Sequence, residues 1–156
     1  MTTAEIITIG TELLLGEIQD INKTYLARQL RQLGVDLFRT TTIGDNPLRI
    51  AEAIQESLSR AEIVITTGGL GPTIDDTTRN AVAIALNAEM VFHAYLWESI
   101  SNRFLVRGIT PTENNRKQAY LPSCASAIEN PVGTAPAFYI LDDNKMIICL
   151  PGVPAE

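Results

Sequence analysis

The sequence contains few of the residues that build metal centres and covalent cross-links: its 156 residues include two cysteines and one histidine. Cys124 and Cys149 form no CxxC pair and have no histidine at ligand spacing, and His93 has no cysteine or acidic residue within three positions. We therefore assign no zinc site, disulfide framework or histidine base to this chain. Cys149 lies in the apolar run 146–150, which predicts a place in the core.

Basic residues are also scarce, with 12 Lys and Arg against 18 Asp and Glu and a net charge of −6. This charge argues against a nucleic-acid surface, since such surfaces attract phosphates over long range. No apolar run approaches the roughly 18 residues that a bilayer crossing requires. The N-terminus places an acidic residue before a short apolar run, which is the wrong order for a secretory signal. We expect a cytoplasmic protein that binds neither nucleic acid nor membrane.

Short β-branched runs alternate three times with helical patterns along the first half of the chain. This alternation predicts right-handed βαβ units around a parallel sheet. The predicted strands cover residues 6–9, 35–43 and 63–67, and the helices that follow them begin at about residues 21, 47 and 77.

The second half of the chain predicts one more helix and a β-hairpin. Leu96, Ile100 and Phe104 form an apolar stripe at helical spacing, and the runs 138–141 and 146–150 flank a polar turn. A hairpin gives the sheet at least one antiparallel pair. The length and the hydrophobic fraction of 46% suit one globular domain. We therefore expect an α/β fold of three αβα layers, with a mostly parallel sheet and an antiparallel hairpin near the C-terminus.

Residues 66–78, TTGGLGPTIDDTT, are the stretch with the clearest chemical meaning. A predicted strand leads into a glycine-rich loop, and a predicted helix follows the loop. Glycines adopt backbone angles closed to other residues, and they let a ligand approach the backbone amides. The helix start adds unpaired N–H groups and the positive end of its dipole. Asp75 and Asp76 would repel a phosphate there unless a cation such as Mg²⁺ lay between them, so the loop indicates a metal-dependent reaction on a phosphorylated ligand. The alternative is a structural turn with an aspartate helix cap.

Polar side chains also follow the first two predicted strands. Thr11 and Glu12 come after the first strand, at the end where open α/β sheets place their ligands. Asp45 lies between the second strand and Pro47, where it is either a helix N-cap or an active-site carboxylate. Asp20 is likewise either the N-cap of the helix that follows it or an active-site residue.

The chain has one adjacent basic pair, Arg116-Lys117, preceded by two asparagines. Such a group could hold a diphosphate or an adenine ribose. The alternative is a solvated helix start.

The loop GGLGPTIDDTT contains neither the GxxxxGK[ST] nor the GxGxxG pattern. It resembles the signature of the molybdopterin-binding fold, which MoaB/MogA-like molybdenum-cofactor biosynthesis proteins share with the N-terminal domain of CinA-type competence/damage-inducible proteins. The form in this chain is the CinA form. The further blocks of the resemblance, in the family's order, are GTELL (10–14) with Gly16, Asp20 and Asn22, then Gly44-Asp45, NNRKQA (114–119), NPVGTAP (130–136) and LPGVP (150–154).

The resemblance implies a catalytic set of Asp45, Asp75 and Asp76. Asp45 and Asp76 would hold a divalent cation, which we expect to be Mg²⁺, and Asp75 would orient a water as a base. Aligned on the glycines, Asp76 matches the aspartate of both branches of the fold. The expected phosphate- and nucleotide-binding residues are Gly68, Gly69, Leu70, Gly71, Pro72, Thr73, Thr78, Thr11, Glu12, Asp20, Asn22, Arg116, Lys117, Asn130, Pro131, Gly133, Thr134, Pro151 and Gly152.

The implied activity is metal-dependent hydrolysis of a dinucleotide-like diphosphate such as ADP-ribose, which gives AMP and a sugar phosphate. One alternative is molybdopterin adenylylation with ATP and a pterin, although adenylyltransferase-like relatives usually read GGTG rather than GGLG. Another is a non-catalytic ligand-binding or assembly module. The resemblance also implies a homo-oligomer. Because CinA-type domains are commonly followed by a nicotinamide-mononucleotide deamidase domain, we expect residues 1–156 to form a single domain that is truncated at its C-terminal end and lacks the deamidase domain.

Overall fold

The computed structural model describes residues 2–156. The elements in chain order are β1 (Thr3–Ile9), α1 (Thr11–Leu14), α2 (Ile21–Gln32), β2 (Asp36–Ile43), α3 (Pro47–Arg60), β3 (Ile63–Thr67), α4 (Thr78–Leu86), β4 (Met90–Phe92), α5 (Ala94–Val106), α6 (Glu113–Arg116), a 3-10 helix (Lys117–Ala119), β5 (Tyr120–Pro122), β6 (Ser126–Ile128), β7 (Ala137–Asp142) and β8 (Lys145–Leu150).

Six strands form the main sheet in the order β2-β1-β3-β8-β7-β6. The pairs β1–β2, β1–β3 and β3–β8 are parallel, whereas β8–β7 and β7–β6 are antiparallel. Ile6, Ile65 and Ile148 occupy one row across three of the parallel strands. The predicted α/β class, with a mostly parallel sheet and a C-terminal hairpin, is confirmed.

Side chains alternate between the two faces of each strand. Because both faces carry apolar side chains, helices cover both of them. On one face Ile6 and Ile65 are buried with Leu30 of α2. On the other face the larger core contains residues of α3, α4 and α5, among them Ile54 and Ile100. The parallel strands are therefore buried on both sides, which is the usual state of parallel sheets.

The structure differs from the sequence-based expectation at the start of β1 and in the short strands β4, β5 and β6, which were not predicted. β1 begins at Thr3 rather than at residue 6 and includes Glu5, a carboxylate that is 2% exposed. A charge can occupy this core position because Arg60 and Ser57 bond to it, at 2.9 and 2.7 Å respectively. Strands β4 and β5 form a separate antiparallel pair that local sequence does not predict. Within residues 2–156, no helix combines the length and apolar character that a membrane crossing requires.

Candidate functional site

A cleft of about 660 Å³ lies at the carboxyl ends of the parallel strands. Loops that follow β1, β2, β3 and β8 line it, with the start of α2. Helix α2, which follows β1, packs on one face of the sheet, and α4, which follows the neighbouring strand β3, packs on the other. The loops after these two strands therefore separate, and a crevice opens between them. The topology therefore brings segments distant in sequence to one concave surface.

The glycine-rich loop after β3 is held from behind by the first two residues of α4. The carbonyl of Gly68 accepts a hydrogen bond from Thr78 Oγ1 at 2.8 Å, and that of Gly69 accepts one from the Thr78 N–H at 3.1 Å. The carbonyl of Leu70 accepts one from Arg79 Nη1 at 2.6 Å. Three successive carbonyls thus point toward α4.

The N–H groups of the same peptides point the other way, because carbonyl and N–H are opposed across a planar trans peptide. These are the N–H groups of Gly69, Leu70 and Gly71, and no acceptor within residues 2–156 engages them. All three residues line the cleft. Successive unengaged N–H groups form a concavity that binds anions.

This cradle is narrower than the sequence-based expectation of residues 68–73. The Gly68 N–H donates to the Leu150 carbonyl at 3.0 Å, and the Thr73 N–H donates to Asp76 Oδ2 at 2.8 Å. The start of α4 is buried behind the loop, since Thr78 is fully buried and bonded to it. The α4 terminus therefore acts on a ligand through the loop that it orients, rather than by direct contact.

The loop glycines serve different purposes. Gly69 has φ +69°, in the left-handed region that favours glycine, and a Cβ there would collide with Thr78 Oγ1. Gly71 lies outside that region, but a Cβ on it would sit 2.6 Å from Asp76 Oδ2. Gly71 is therefore needed for the close approach of the Asp76 carboxylate rather than for its backbone angles.

Arg79 is a component of the site that the sequence reasoning missed. It is 3% exposed, and its second guanidinium nitrogen donates to the Gly71 carbonyl at 3.0 Å. Burial lowers the pKa of Arg79 to about 10, and the negative charge of Asp76 opposes that shift. The side chain therefore remains charged at neutral pH and clamps the loop. The only signal in the sequence is a basic residue in the first turn of the helix that follows the glycines.

Asp45 and Asp76 are held in the same way on opposite loops. Asp45 Oδ2 accepts hydrogen bonds from the N–H and the hydroxyl of Thr11, at 2.9 and 2.8 Å. Asp76 Oδ2 accepts them from the N–H and the hydroxyl of Thr73, at 2.8 and 2.6 Å. Each carboxylate is thereby oriented by one oxygen, and no hydrogen bond within residues 2–156 uses its Oδ1.

The helix-cap alternative is wrong for both aspartates. Asn46 caps α3, because its side-chain oxygen accepts from two N–H groups of the first turn at 3.1 Å. Thr77 precedes α4 and makes no side-chain cap bond. Asp45 and Asp76 thus remain available for a ligand in the cleft that both of them line.

Asp20 does cap α2, since its Oδ1 accepts from the Lys23 N–H at 2.9 Å. Its Oδ2 is buried and accepts no hydrogen bond, with Lys23 Nζ 3.5 Å away, and Asp20 also lines the cleft. Asn22 donates to the Thr67 hydroxyl and to the Gly152 carbonyl, at 3.0 and 2.8 Å. Asn22 therefore ties the start of α2 to the ends of β3 and β8, which fixes the far wall of the cleft.

The acidic side chains of the cleft suit a cation that is shared with a ligand. Within residues 2–156 no three His, Cys, Asp or Glu residues cluster closely enough to hold a metal by themselves. Mg²⁺, however, commonly takes one or two carboxylates and completes its shell with water and substrate phosphates. The free Oδ1 atoms and the adjacent N–H cradle fit that pattern. The acidic residues lining the cleft are Glu12, Asp20, Asp45, Asp75, Asp76 and Glu156.

Most of the predicted site residues meet in this one cleft. Thr11 and Thr78 do not line it themselves but hold Asp45 and the loop in position, as described above. The predicted residues that line the cleft are Glu12, Asp20, Asn22, Asp45, Gly68, Gly69, Leu70, Gly71, Pro72, Thr73, Asp75, Asp76, Thr134, Pro151 and Gly152.

The 130–136 loop contributes to the cleft through Thr134 and Ala135. Asn130 organises this loop, because its Oδ1 accepts from the Gly133 N–H at 2.9 Å and its Nδ2 donates to the Ala135 carbonyl at 2.9 Å. Asn130, Pro131 and Gly133 do not line the cleft themselves. Direct ligand contact by these three stays a prediction.

The basic pair lies away from the cleft. The Arg116 guanidinium stacks on Phe92, 4.7 Å from the ring centroid, and lies 6.0 Å from the Trp97 ring centroid. Lys117 is exposed, and neither basic residue lines the cleft. Their role in ligand binding stays a prediction, whereas the next residue, Gln118, does line the cleft and was not among the predicted site residues.

Comparison with known proteins shows the family of this chain. The family model described as a probable molybdopterin binding domain matches residues 5–156. The chain belongs to this family. A solved CinA structure from Thermoplasma acidophilum superposes on this domain with a TM-score of 0.93 at 31% identity, covering 99% of this chain and 92% of that one. Together with the relatives below, this likeness makes the chain a CinA-type, MoaB/MogA-like domain.

Curated relatives include putative competence-damage inducible proteins of Alkaliphilus oremlandii and Halothermothrix orenii, 47% and 48% identical over 153 residues. These matches cover 98% of this domain and 37% of each relative, so the chain spans little more than a third of their length. The molybdopterin biosynthesis enzyme MoaB of Thermus thermophilus shares the fold, with a TM-score of 0.66 at 18% identity over 99% of this chain and 83% of that one.

Proposed function

We propose that this CinA-type domain binds a nucleotide diphosphate of the ADP-ribose type and hydrolyses it with the help of a divalent cation. The observation that carries the proposal is the position of the N–H cradle at Gly69–Gly71 on the same cleft as Asp45 and Asp76. An anion receptor beside two carboxylates suits a phosphate that arrives with a cation, because the cation offsets both negative charges.

The size of the cleft supports a ligand larger than a lone phosphate. Sites for small molecules typically enclose about 300 to 1,000 Å³, and this cleft has about 660 Å³. A nucleotide diphosphate can therefore place one phosphate on the cradle and still leave room for its sugar and base along the wall formed by α2 and the 130–136 loop.

In this proposal, different acidic residues of the cleft bind the cation and orient the water. Asp45 and Asp76 would hold the cation, and Thr11 and Thr73 keep each carboxylate oriented through Oδ2. The exposed Asp75 would orient the water that attacks the phosphate. A divalent cation bound there would neutralise charge on the phosphate oxygens and lower the pKa of a bound water.

The test is the turnover of ADP-ribose across a Mg²⁺ titration. Asp76→Asn keeps an oxygen that can accept from Thr73 but removes the charge, so kcat should fall by about a hundredfold, equivalent to about 3 kcal/mol of barrier, while ligand binding persists. Asp142→Asn is the matched control, since Asp142 is exposed in the β7–β8 hairpin, at the amino end of β8 and away from the cleft. A near-normal kcat for Asp76→Asn at saturating Mg²⁺ would contradict the assignment of Asp76 as a ligand of the catalytic cation.

Pterin chemistry is the second candidate, favoured by the family description of a probable molybdopterin binding domain. The same cradle would then hold the phosphate of a pterin. Incubation of the domain with ATP, Mg²⁺ and molybdopterin distinguishes the two: an adenylylated pterin without ADP-ribose cleavage would replace the first proposal. Binding without turnover of either substrate would indicate a non-catalytic module.

A further inference from the structure

We infer that Gln118 is a further ligand-binding residue of this cleft, whose amide oxygen accepts a hydrogen bond from an O–H or N–H donor on the sugar or base of the bound nucleotide. The inference deepens the proposed function and rests on its ligand class. It adds recognition of the uncharged part of the ligand to a site otherwise described by its phosphate and cation groups.

The burial of Gln118 is the first observation. The residue is 1% exposed, yet its Oε1 has no hydrogen-bond partner in the protein. Buried polar atoms are nearly always paired, and an unpaired acceptor destabilises the fold by its full desolvation penalty. Gln118 also lines the cleft. Its Oε1 is itself buried, so the amide rotates when a donor on the bound ligand pairs with it.

The residues around Gln118 hold it in position. Asn115 Oδ1 accepts from the N–H and the hydroxyl of Thr112, each at 2.9 Å, and so fixes the turn of α6. Ala119, which follows Gln118, accepts from the His93 N–H through its carbonyl at 2.9 Å. Arg116, stacked on Phe92, adds a further contact just before the 3-10 helix. The backbone is therefore anchored before and after Gln118, while no hydrogen bond within residues 2–156 fixes the side-chain amide itself.

The neutral amide also differs from the acidic residues that surround it. A carboxylate can serve the cation, whereas a glutamine oxygen carries no net charge and gains most from a hydroxyl or amino donor. This chemistry suits a ribose hydroxyl or the exocyclic amino group of a purine. A ligand without such a donor, such as inorganic pyrophosphate, would leave Oε1 unpaired.

The experiment compares the full chain with its Gln118→Met variant, in which a side chain of similar length lacks the acceptor. Calorimetric titration should show ADP-ribose affinity reduced by about three- to tenfold, the factor expected of one neutral hydrogen bond. The affinity for pyrophosphate should be unchanged. Gln32→Met is the matched control, because Gln32 is exposed on α2. Titration with AMP and with ribose 5-phosphate then assigns the donor to the base or to the sugar.

Thermal unfolding without ligand provides an independent readout. Because the variant removes an unpaired buried acceptor, Gln118→Met should unfold at the same temperature as the wild type or higher. A lower unfolding temperature, or equal ADP-ribose affinity in the two proteins, would overturn the inference while leaving the proposed function intact. Failure of the wild type to bind any of these probes would overturn both. Binding that depends on Gln118 without hydrolysis would overturn the catalytic part of the proposed function alone.

Discussion

Replacing Arg79 with methionine should weaken phosphate binding strongly while leaving the domain folded. The two guanidinium hydrogen bonds to the Leu70 and Gly71 carbonyls hold the cradle in the conformation that presents its N–H groups. Without them, a ligand must order both peptides as it binds. Fixing a residue costs ~1–2 kcal/mol, so the loss for two residues is about 2 to 4 kcal/mol, or roughly 30- to 700-fold in affinity.

The loss of folding stability should be smaller than the loss of binding. Arg79→Met removes two hydrogen bonds, but it also removes the cost of burying a charge. Hydrogen bonds from a charged donor contribute ~1.5–3 kcal/mol each. Burial, however, lowers the pKa of Arg79 from 12.5 to about 10, a difference equivalent to about 3 kcal/mol against the charged form. The net loss is therefore at most about 3 kcal/mol, below the total stability of a typical domain. The variant should remain folded.

The assay is calorimetric titration of pyrophosphate and ADP-ribose, combined with urea unfolding. Arg28→Met is the matched control, since Arg28 is exposed on α2, and it should change neither quantity. Arg79→Lys retains the charge but cannot present a planar fork to both carbonyls, so it should give an intermediate affinity. A folded Arg79→Met protein that binds both probes as tightly as the wild type would refute the reasoning.

Two further predictions concern buried ionisable groups. The hydrogen bond from Arg60 lowers the pKa of Glu5 below its ordinary value of 4.5, so Glu5 stabilises the fold above that pH and this stabilisation is lost as the pH falls. Glu5→Gln should therefore lower the free energy of unfolding at neutral pH by about 1 to 3 kcal/mol. Its stability should also depend less on pH, as measured by urea unfolding from pH 7 downward. An unaltered pH profile would contradict this role. Burial raises the pKa of the Cys149 thiol to about 12. Iodoacetamide should therefore label only the exposed Cys124 in the native protein and both cysteines in urea, as measured by mass spectrometry. Label on Cys149 of the native protein would contradict this prediction.

Local sequence was sufficient for most of the longer helices and strands, although not for the start of β1 or for the β4–β5 pair. The alternation of β-branched runs and helical stripes predicted β1, β2, β3 and the helices after them, because side-chain periodicity is a property of neighbouring residues. The glycine-rich loop and its aspartates were also evident locally. Since the carboxyl ends of parallel strands meet at one edge, the sequence further indicated that Glu12, Asp45 and the loop would share a cleft.

The roles of individual atoms in that cleft were decided only by the tertiary structure. Asp45 accepts from Thr11, 34 residues away, and Asn22 donates to Gly152, 130 residues away, so these contacts depend on strand order and register. For the same reason the sequence did not reveal that Gln118 faces the cleft.

The sequence by itself determined the fold class of this CinA-type domain, the position of its loop and the identity of its acidic residues, because backbone preference and periodicity are encoded within a few neighbours. Only the tertiary structure decided which N–H groups are open to a ligand. That outcome depends on where Thr78 and Arg79 place their donors relative to three carbonyls. Hydrogen-bond partners are fixed by the packing of α4 against the loop, which no local pattern specifies.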